Sequence, residues 1–316
     1  MLRKENVLIR AGRCSLTVLP RLGGKIASIR FAGSELLQAP LLPAVPRTRT
    51  MSFDESDASG WDECLPSVAA CSVLTPAGSA EVPDHGDLWR EAWRVDESSG
   101  NAVSLTGECF SLPLRLQRTL EMIETPIGCH VALRYALTNT GTYEVPWSWA
   151  AHPLFACEPG DSLRLPESIT SLRLEGSGAN RLGKSGDSVS WPIAVMAAGG
   201  ETNLSHAGEA NSGIGEKLFT GPLSESENWC EILRPRAGVR IRMRFDPART
   251  PYLGLWLCYG GWPERPGPKQ MCIAPEPCTA PVDSLAATGP WSRTLAAGET
   301  CRWTMDLELE TLTKVN

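Results

Sequence analysis

His152 is the residue whose surroundings most strongly suggest chemistry. It lies in the run 147–155, where every other residue is aromatic, apolar or small. An imidazole titrates near neutral pH, and apolar surroundings can shift its pKa. Glu276 is the lone carboxylate in the uncharged stretch 272–277. A carboxylate and an imidazole of this kind can share general acid–base chemistry, so His152 and Glu276 are the predicted catalytic residues.

Tryptophan recurs near acidic or imidazole side chains in three segments of the chain, 60–66, 83–89 and 147–155. A pyranose ring offers an apolar face for stacking on an aromatic side chain, and its hydroxyls need charged or amide partners. This composition predicts a sugar-binding site built from all three segments. The predicted substrate-binding residues are Trp61, Asp62, Glu63, His85 and Trp149.

An ordinary structural role is the alternative for each segment taken alone. A tryptophan in a β-protein usually packs in the core, and a single histidine is usually a hydrogen-bonded structural residue. Here the three segments occur together with Glu276, and this combination favours the functional interpretation.

The hydrophobic pattern predicts that strands position these side chains. Apolar and polar residues alternate over 131–137 and again over 301–309, which is typical of half-buried strands. The chain has 29 glycines and 25 prolines at short intervals and little helical periodicity. We therefore predict an all-β fold, a large antiparallel β-sandwich, formed by a single domain over residues 1–316. The irregular stretches 38–59 and 176–226 are predicted to be insertions that carry binding loops.

Proline follows both predicted catalytic residues. Pro153 and Pro277 bias His152 and Glu276 towards extended backbone geometry. We expect both side chains to extend from strands into one cleft, shared with His85 and with a tryptophan at its wall. His152 and Glu276 should lie within roughly 10 Å of each other, because both must reach one sugar ring. Prolines on an exposed edge strand are the structural alternative.

The composition excludes some classes of function. A hydrophobic fraction of 42% and a charged fraction of 21% are those of an ordinary globular protein rather than a disordered chain. The formal net charge of −6 argues against non-specific nucleic-acid binding, which needs a basic surface. Arg240, Arg242 and Arg244 alternate with apolar residues, so they are interpreted as the solvent-facing side of a strand.

Neither a membrane segment nor a metal motif is evident in the sequence. The first residues lack a signal peptide, and no apolar run reaches the ~18 residues of a membrane helix, which predicts a cytoplasmic location. The eleven cysteines include no Cys-x-x-Cys pair, which favours reduced, mostly buried thiols. No cofactor or metal is predicted. A metal site of His85, His152 and either Glu63 or Glu276 is an alternative without supporting spacing.

Four short motifs follow one another along the chain. They are Gly-Gly-Lys-Ile at 23–26, His-Gly at 85–86, His-Pro-Leu-Phe at 152–155 and Glu-Pro at 276–277. Their order resembles that of the aldose 1-epimerase (galactose mutarotase-like) superfamily, over about residues 7 to 310. The resemblance implies a β-supersandwich and a small-molecule sugar substrate. It also implies general acid, general base and sugar-binding roles for His152, Glu276 and His85 respectively.

The implied activity interconverts the anomers of a sugar. A base removes the proton of the C1 hydroxyl while an acid protonates the ring oxygen, which opens the ring to the aldehyde. Rotation about the C1–C2 bond and reclosure give the other anomer. In this scheme Glu276 rests as a carboxylate and His152 as an imidazolium. Mutual attraction favours both charges and burial opposes both, so the sequence leaves the outcome open.

Two other functions remain open on the same scaffold. A non-catalytic carbohydrate-binding or sensor protein would not need a facing acid–base pair. A carbohydrate lyase or hydrolase would need a second carboxylate, for which Asp62, Glu63 and Asp84 are candidates. The sequence identifies neither the sugar nor the oligomeric state. If the sugar carries a phosphate, the candidate cations are Arg90, Lys184, Lys217 and Arg265.

Overall fold

Strands make up almost all of the regular structure. The computed structural model describes residues 6–312, and it is 49% strand and 2% helix. Every ladder between the described strands is antiparallel. The predicted all-β, antiparallel fold is therefore confirmed. In this described part, no helix is long and apolar enough to cross a membrane.

The strands are numbered in chain order. They are β1 (Val7–Ala11), β2 (Cys14–Leu19), β3 (Lys25–Phe31), β4 (Ser34–Glu35), β5 (Trp61–Cys64), β6 (Cys71–Thr75), β7 (Gly78–Val82), β8 (Arg94–Ser98), β9 (Ala102–Glu108), β10 (Leu114–Thr125), β11 (Gly128–Asn139), β12 (Val145–Pro146), β13 (Ala150–Pro153), β14 (Phe155–Ala156), β15 (Ser162–Arg164), β16 (Ser171–Ser177), β17 (Ser188–Ser190), β18 (Ile193–Val195), β19 (Glu201–Asn203), β20 (Ile214–Phe219), β21 (Trp229–Arg234), β22 (Val239–Phe245), β23 (Tyr252–Tyr259), β24 (Met271–Cys278), β25 (Thr294–Leu295) and β26 (Thr300–Thr311). Two short 3-10 helices span Phe53–Glu55 and Gly178–Asn180.

Two sheets contain most of these strands. The large sheet has twelve, in the order β1-β2-β3-β5-β13-β24-β23-β20-β16-β17, with β14 beside β24 and β4 beside β3. The small sheet has eight, in the order β15-β21-β22-β26-β11-β10-β9-β8. One cluster of buried apolar side chains includes Ile273 of the large sheet and Leu133 of the small sheet. The main core therefore lies between the two sheets, as in a sandwich.

Two-residue alternation gives the small sheet one buried and one wet face. In β11 and β26, Leu133 lies opposite Met305 and both are buried in the core. In β22 the four apolar residues are buried, and Arg240, Arg242 and Arg244 between them are only half-buried. The interpretation of these arginines as the solvent side of a strand is confirmed.

The cysteine thiols are mostly buried, as the composition predicted. All eleven are free, and nine of them are buried. Cys71 and Cys109 are partly exposed. Burial raises the pKa of many of these thiols, such as Cys157 and Cys230, so they pack as small apolar groups.

The two predicted insertions have different outcomes. The stretch 38–59 is irregular as predicted, and its one helical element is the 3-10 turn Phe53–Glu55. The stretch 176–226 instead contains β17, β18, β19 and β20, and β20 is an interior strand of the large sheet. The insertion prediction is wrong there. Residues 216–219 of β20 are all buried, so this strand lacks the polar–apolar alternation that reveals a half-buried strand.

Candidate active site

The site lies on the face of the large sheet that is turned away from the small sheet. In β24, Ile273 packs in the main core, whereas Cys278 belongs to a separate apolar cluster outside it. Side chains alternate along a strand, so Glu276 lies on the same outer face as Cys278. His152 lies on β13, which pairs with β24 through Ala150 and Cys278. Ala150 belongs to the same outer cluster, which puts His152 on the outer face too.

Interior strands carry both predicted catalytic residues. β13 lies between β5 and β24, and β24 lies between β13 and β23. The alternative interpretation of Pro153 and Pro277 as edge-strand prolines is therefore wrong. The expectation that His152 and Glu276 extend from strands is confirmed.

A cavity of ≈ 200 Å³ opens on this outer face. It brings together His85, His152 and Glu276, which are widely separated in the sequence. Its lining consists of Phe53, Val68, Ala69, Asp84, His85, His152, Lys217, Trp256, Trp262, Gln270, Glu276 and Asp283. The lining combines aromatic rings with ionisable groups, which suits a small polar molecule that has an apolar face.

Glu276 and His152 face each other across a short gap. Glu276 Oε1 lies 3.8 Å from His152 Nε2, beyond hydrogen-bonding distance. Glu276 is 1% exposed, and Oε1 has no hydrogen-bond partner among the described residues. The expected proximity of the two side chains is confirmed. The gap leaves Oε1 available to a bound molecule.

Lys217 occupies the other oxygen of Glu276. Its Nζ atom donates to Glu276 Oε2, lies 3.7 Å from Asp283 Oδ1 and sits over the Phe219 ring at 5.2 Å. Burial opposes its charge, but Asp283 and Glu276 raise the pKa of Lys217 above its ordinary value. Burial raises the pKa of Glu276, against the opposing effect of the Lys217 ammonium. In the sequence, Lys217 was only one of four candidate cations for a sugar phosphate. No local pattern indicated that it contacts Glu276.

The structure favours a neutral imidazole at His152. The side chain is buried, and its Nδ1 atom has no hydrogen-bond partner among residues 6–312. Burial lowers the pKa of His152 well below its ordinary value, and the positive charges of His85, Lys217 and Lys25 act in the same direction. The resting imidazolium of the anomer-exchange scheme is therefore disfavoured, because burial and nearby positive charge both oppose it.

His85 has a different environment in the same cavity. Its Nδ1 atom lies 2.8 Å from Asp84 Oδ2, and its ring stacks on Phe53 with centroids 3.9 Å apart. The His152 ring meets the His85 ring edge-on, with centroids 5.2 Å apart. Burial tends to raise the pKa of Asp84, but the hydrogen bond and charge of His85 lower it below its ordinary value. Asp84 therefore stays ionised beside the imidazole.

Two tryptophans line the cavity, as expected, but not those named from the sequence. Trp256 lies on β23, and its Nε1 atom donates to Gln270 Oε1 at 2.9 Å. Trp262 follows directly after Gly260 and Gly261. For Trp262 the two preceding glycines were an available sequence signal, because such a stretch can form a turn that places an aromatic side chain at a site.

Trp61, Glu63 and Trp149 do not reach the cavity. Trp61 and Trp149 belong to the inter-sheet core, and the Trp149 Nε1 atom donates to Glu63 Oε2 at 2.9 Å. Glu63 also binds Arg118 and Tyr135 of the small sheet, at 2.8 and 3.1 Å. Strand alternation directs Trp61 and Glu63 to the inner face, opposite to the cavity. Their interpretation as sugar-binding residues disagrees with this placement.

Asp62 lies on the outer face but is not among the residues that line the cavity. It pairs with His152 in the strand register, yet its carboxylate faces Lys25 Nζ at 3.1 Å and Arg47 Nη1 at 3.1 Å. Lys25 and Arg47 also bind Asp57, each at 2.8 Å. Asp62 therefore helps to fasten the stretch 38–59 to the large sheet instead of lining the cavity.

Among the described residues, no three metal-ligating side chains are grouped in a way that could hold an ion. Glu63 lies on the opposite face of the sheet from His85 and His152, as its contacts with the small sheet show. Of the candidate second carboxylates, Asp62 and Glu63 do not line the cavity, whereas Asp84 does. The arrangement suits acid–base chemistry at one ring-sized site.

Solved structures resemble this chain over its whole length. The Slr1438 protein of Synechocystis sp. PCC 6803 matches with a TM-score of 0.72 and 16% identity, over 98% of this chain and 96% of its own. A galactose mutarotase-like protein from Lactobacillus casei matches with 0.66 and 18%, over 96% and 100%. A GalM/aldose epimerase homologue from C. elegans matches with 0.67 and 10%, over 98% and 99%. The chain has the galactose mutarotase-like fold.

The galactose mutarotase-like fold is thus confirmed by structure, not by sequence similarity. No protein-family model and no curated protein matches the chain. Identities of 10 to 18% leave the sugar and the reaction to be argued from the site itself.

Proposed function

We propose that this chain interconverts the α and β anomers of an uncharged sugar, with Glu276 as base and an imidazole as acid. The observation that carries the proposal is the pair Glu276 Oε1 and His152 Nε2, both buried and 3.8 Å apart at one open cavity. The gap is too long for a hydrogen bond, so the hydroxyl at C1 of a sugar can bind to both atoms. The names of the L. casei and C. elegans proteins support this reaction class.

Each proton transfer then has a group in place. Glu276 Oε1 accepts the proton of the C1 hydroxyl, the bond from C1 to the ring oxygen breaks, and the ring oxygen receives a proton. Reclosure on the other face of the aldehyde reverses both transfers. Trp256 and Trp262 offer aromatic faces for the apolar side of the sugar ring.

The environment of Glu276 suits a general base. A base works best when its pKa lies near the working pH. Burial raises the pKa of Glu276 towards that range, and the Lys217 ammonium limits the rise. Because Lys217 binds Oε2, the free oxygen is the one that faces His152.

The cations of the chain argue for an unphosphorylated substrate. Within residues 6–312, Lys217 is the one lysine or arginine that lines the cavity, and Glu276 already pairs with it. Arg90 and Arg265 donate to backbone carbonyls, and Lys184 is exposed elsewhere. A phosphate in the cavity would meet carboxylates and no free cation, which disfavours its binding.

A cytoplasmic location remains a prediction from the sequence.

A binding screen followed by anomer exchange tests the proposal. Free and phosphorylated aldoses are compared by thermal shift, and free aldoses should give the larger stabilisation. Exchange between anomers of a bound sugar is then measured by NMR. Glu276→Gln keeps the shape and removes the proton acceptor, so the rate should fall by about 10² to 10⁴ while binding survives.

Glu216→Gln is the matched control. It makes the same chemical change on the neighbouring interior strand β20, where Glu216 binds Arg181 at 2.7 Å outside the cavity lining. This variant should exchange anomers at the wild-type rate. If Glu276→Gln also keeps the wild-type rate on a sugar that the protein binds, the chain is a carbohydrate-binding protein and not an epimerase.

A further inference from the structure

Lys217 and Asp283 form a second polar pair beside Glu276. Both residues line the cavity. Lys217 Nζ lies 3.7 Å from Asp283 Oδ1, beyond hydrogen-bonding distance. Asp283 Oδ1 is enclosed by the protein, and it has no hydrogen-bond partner among the described residues. Because a buried carboxylate oxygen normally accepts a hydrogen bond, this atom is suited to accept one from a bound molecule.

Lys217 keeps hydrogen-bond donors for a ligand. An ammonium group has three N–H donors, and within residues 6–312 its one hydrogen bond is to Glu276 Oε2. Burial tends to lower the pKa of Lys217, but the charges of Asp283 and Glu276 raise it above its ordinary value. The ammonium is therefore charged, and its charge is balanced inside the cavity. Its remaining N–H groups suit an uncharged hydroxyl better than an anion.

Hydrogen bonds to its main chain hold Asp283 at the cavity wall. Its carbonyl oxygen accepts from Val68 N at 3.0 Å and from Ala69 N at 2.8 Å. Ser67 Oγ donates to the same oxygen at 3.1 Å. Val68 and Ala69 line the cavity themselves. A side chain on a main chain fixed in this way loses little freedom when it binds a ligand, so Asp283 is preorganised although it lies outside the strands.

Glu276 has a different neighbour at each carboxylate oxygen. Oε1 faces His152 Nε2 at 3.8 Å, and Oε2 binds Lys217. His85 lies on the imidazole side, where the centroid of the Phe53 ring is 3.9 Å from that of His85 and 5.4 Å from that of His152. In an aldopyranose, C1 likewise has two neighbours in the ring, which are the ring oxygen and C2. Because an imidazole protonates the ring oxygen in the proposed reaction, C2 then faces the Lys217 side.

We propose that Lys217 and Asp283 bind the hydroxyl on C2 of the sugar, so that the preferred substrate is a 2-hydroxy aldose. The hydroxyl donates to Asp283 Oδ1, and its oxygen accepts from Lys217 Nζ. A hydroxyl both donates and accepts, so one such group can satisfy an acceptor and a donor that are 3.7 Å apart. A 2-deoxy aldose can do neither. The assignment rests on the anomer interconversion proposed above, because C1 at Glu276 directs C2 to this pair.

Removing the hydroxyl and the carboxylate in turn tests the assignment. D-glucose, D-galactose and D-ribose are each compared with the 2-deoxy sugar, and NMR measures both affinity and anomer exchange. The wild type should favour the 2-hydroxy sugar by about 10- to 100-fold in kcat/KM, because hydrogen bonds to charged groups are lost with the hydroxyl. Asp283→Ala should abolish this preference and leave the 2-deoxy sugars nearly unchanged. A merely structural role of Asp283 would lower both sugars alike.

The sugar 3-deoxy-D-glucose checks the position of the hydroxyl. It keeps the hydroxyl on C2, so Asp283→Ala should lower its rate by about the same factor as for D-glucose. If the loss is instead confined to sugars that carry the hydroxyl on C3, the pair binds at C3 and the assignment to C2 is wrong.

Asp96→Ala is the matched control. The Asp96 side chain is 18% exposed and that of Asp283 is 19% exposed, and Asp96 lies on β8 of the small sheet, outside the cavity lining. This variant should keep the wild-type preference. Asp283→Asn keeps the shape of the side chain if the alanine variant does not fold. It should weaken the preference by a smaller factor, because an amide oxygen still accepts a hydrogen bond but without a charge.

Two results would overturn the assignment. In one, no 2-hydroxy aldose binds more tightly than its 2-deoxy counterpart. In the other, Asp283→Ala lowers the rates of both sugars by the same factor. A third result separates the assignment from the proposed function. If Asp283→Ala removes a wild-type binding preference for 2-hydroxy aldoses but no bound sugar exchanges anomers, the proposed function fails and the binding assignment stands.

Discussion

At the residue scale, the proposed chemistry depends on one oxygen atom of Glu276. Lys217 binds Glu276 Oε2, so Oε1 is the oxygen that remains for a substrate. Gly254 lies opposite Glu276 in the register, and a Cβ there would be 3.0 Å from the Phe219 ring and 3.4 Å from Glu276 Cβ. The absence of a side chain at Gly254 therefore gives Glu276 and Phe219 the space in which Lys217 positions the carboxylate.

Lys217→Met should move the acidic limb of the rate profile to higher pH. The base must be ionised, and the ammonium lowers the pKa that burial raises, so without it Glu276 protonates at a higher pH. Lys217→Arg keeps the charge and should keep the limb near its wild-type position. Anomer exchange across pH measures both variants. An unmoved limb in Lys217→Met would show that Lys217 does not control this carboxylate.

At the element scale, buried ion pairs fasten the stretch 38–59 to the large sheet. Lys25 of β3 and Arg47 of the stretch both bind Asp57, and both face Asp62 of β5. Burial tends to raise the pKa of Asp57, but the charges of Lys25 and Arg47 lower it below its ordinary value. The same stretch carries Phe53, so these ion pairs also place the ring that contacts both imidazoles.

Asp57→Asn should destabilise the protein near neutral pH by about 3 kcal/mol or more, because it leaves two buried cations short of a partner. The pKa of Asp57 is lower in the folded protein than in the unfolded chain. The stabilisation is therefore complete above the unfolded-chain pKa and is lost as the pH falls from there towards the folded-state pKa. The difference from wild type should therefore shrink below about pH 4. Urea unfolding at several pH values measures it. Asp54→Asn, a partly exposed change in the same stretch, should have little effect, and an equal loss in both variants would contradict the prediction.

At the scale of the whole molecule, a buried ion pair joins the two sheets. Glu63 of β5 binds Arg118 of β10 at 2.8 Å, and both side chains are 0% exposed. Burial raises the pKa of Glu63, while Arg118, Tyr135 and Trp149 act against that rise. Residues that the sequence suggested for sugar binding thus connect the large sheet to the small one.

Glu63→Ala should lower the free energy of unfolding by about 3 to 5 kcal/mol, because it leaves the Arg118 charge buried and unpaired. Glu108→Ala breaks an ion pair of similar length, 2.6 Å to Arg115, in which both side chains are about half exposed. That control should cost less than about 1 kcal/mol. Chemical unfolding of the two variants measures both free energies of unfolding. Similar decreases in the two variants would mean that the inter-sheet ion pair stabilises the protein no more than an exposed one.

The sequence by itself determined the fold class and pointed to the two residues that face each other in the candidate site. Two-residue alternation is a local property, so it predicts half-buried strands such as β11 and β26 without knowledge of their partners. The prolines after His152 and Glu276 likewise set extended geometry locally. The single domain over 1–316 stays a prediction.

Only the tertiary structure decided which neighbouring residues act together. Trp61, Asp62 and Glu63 are adjacent in sequence, but alternation sends Asp62 to one face of the sheet and its neighbours to the other. Lys217 lies on a strand buried on both faces, which has no alternation to reveal it. The protonation of His152 depends on burial by segments far apart in the chain. Burial and charge pairing arise from long-range contacts, and for that reason the local pattern could not predict them.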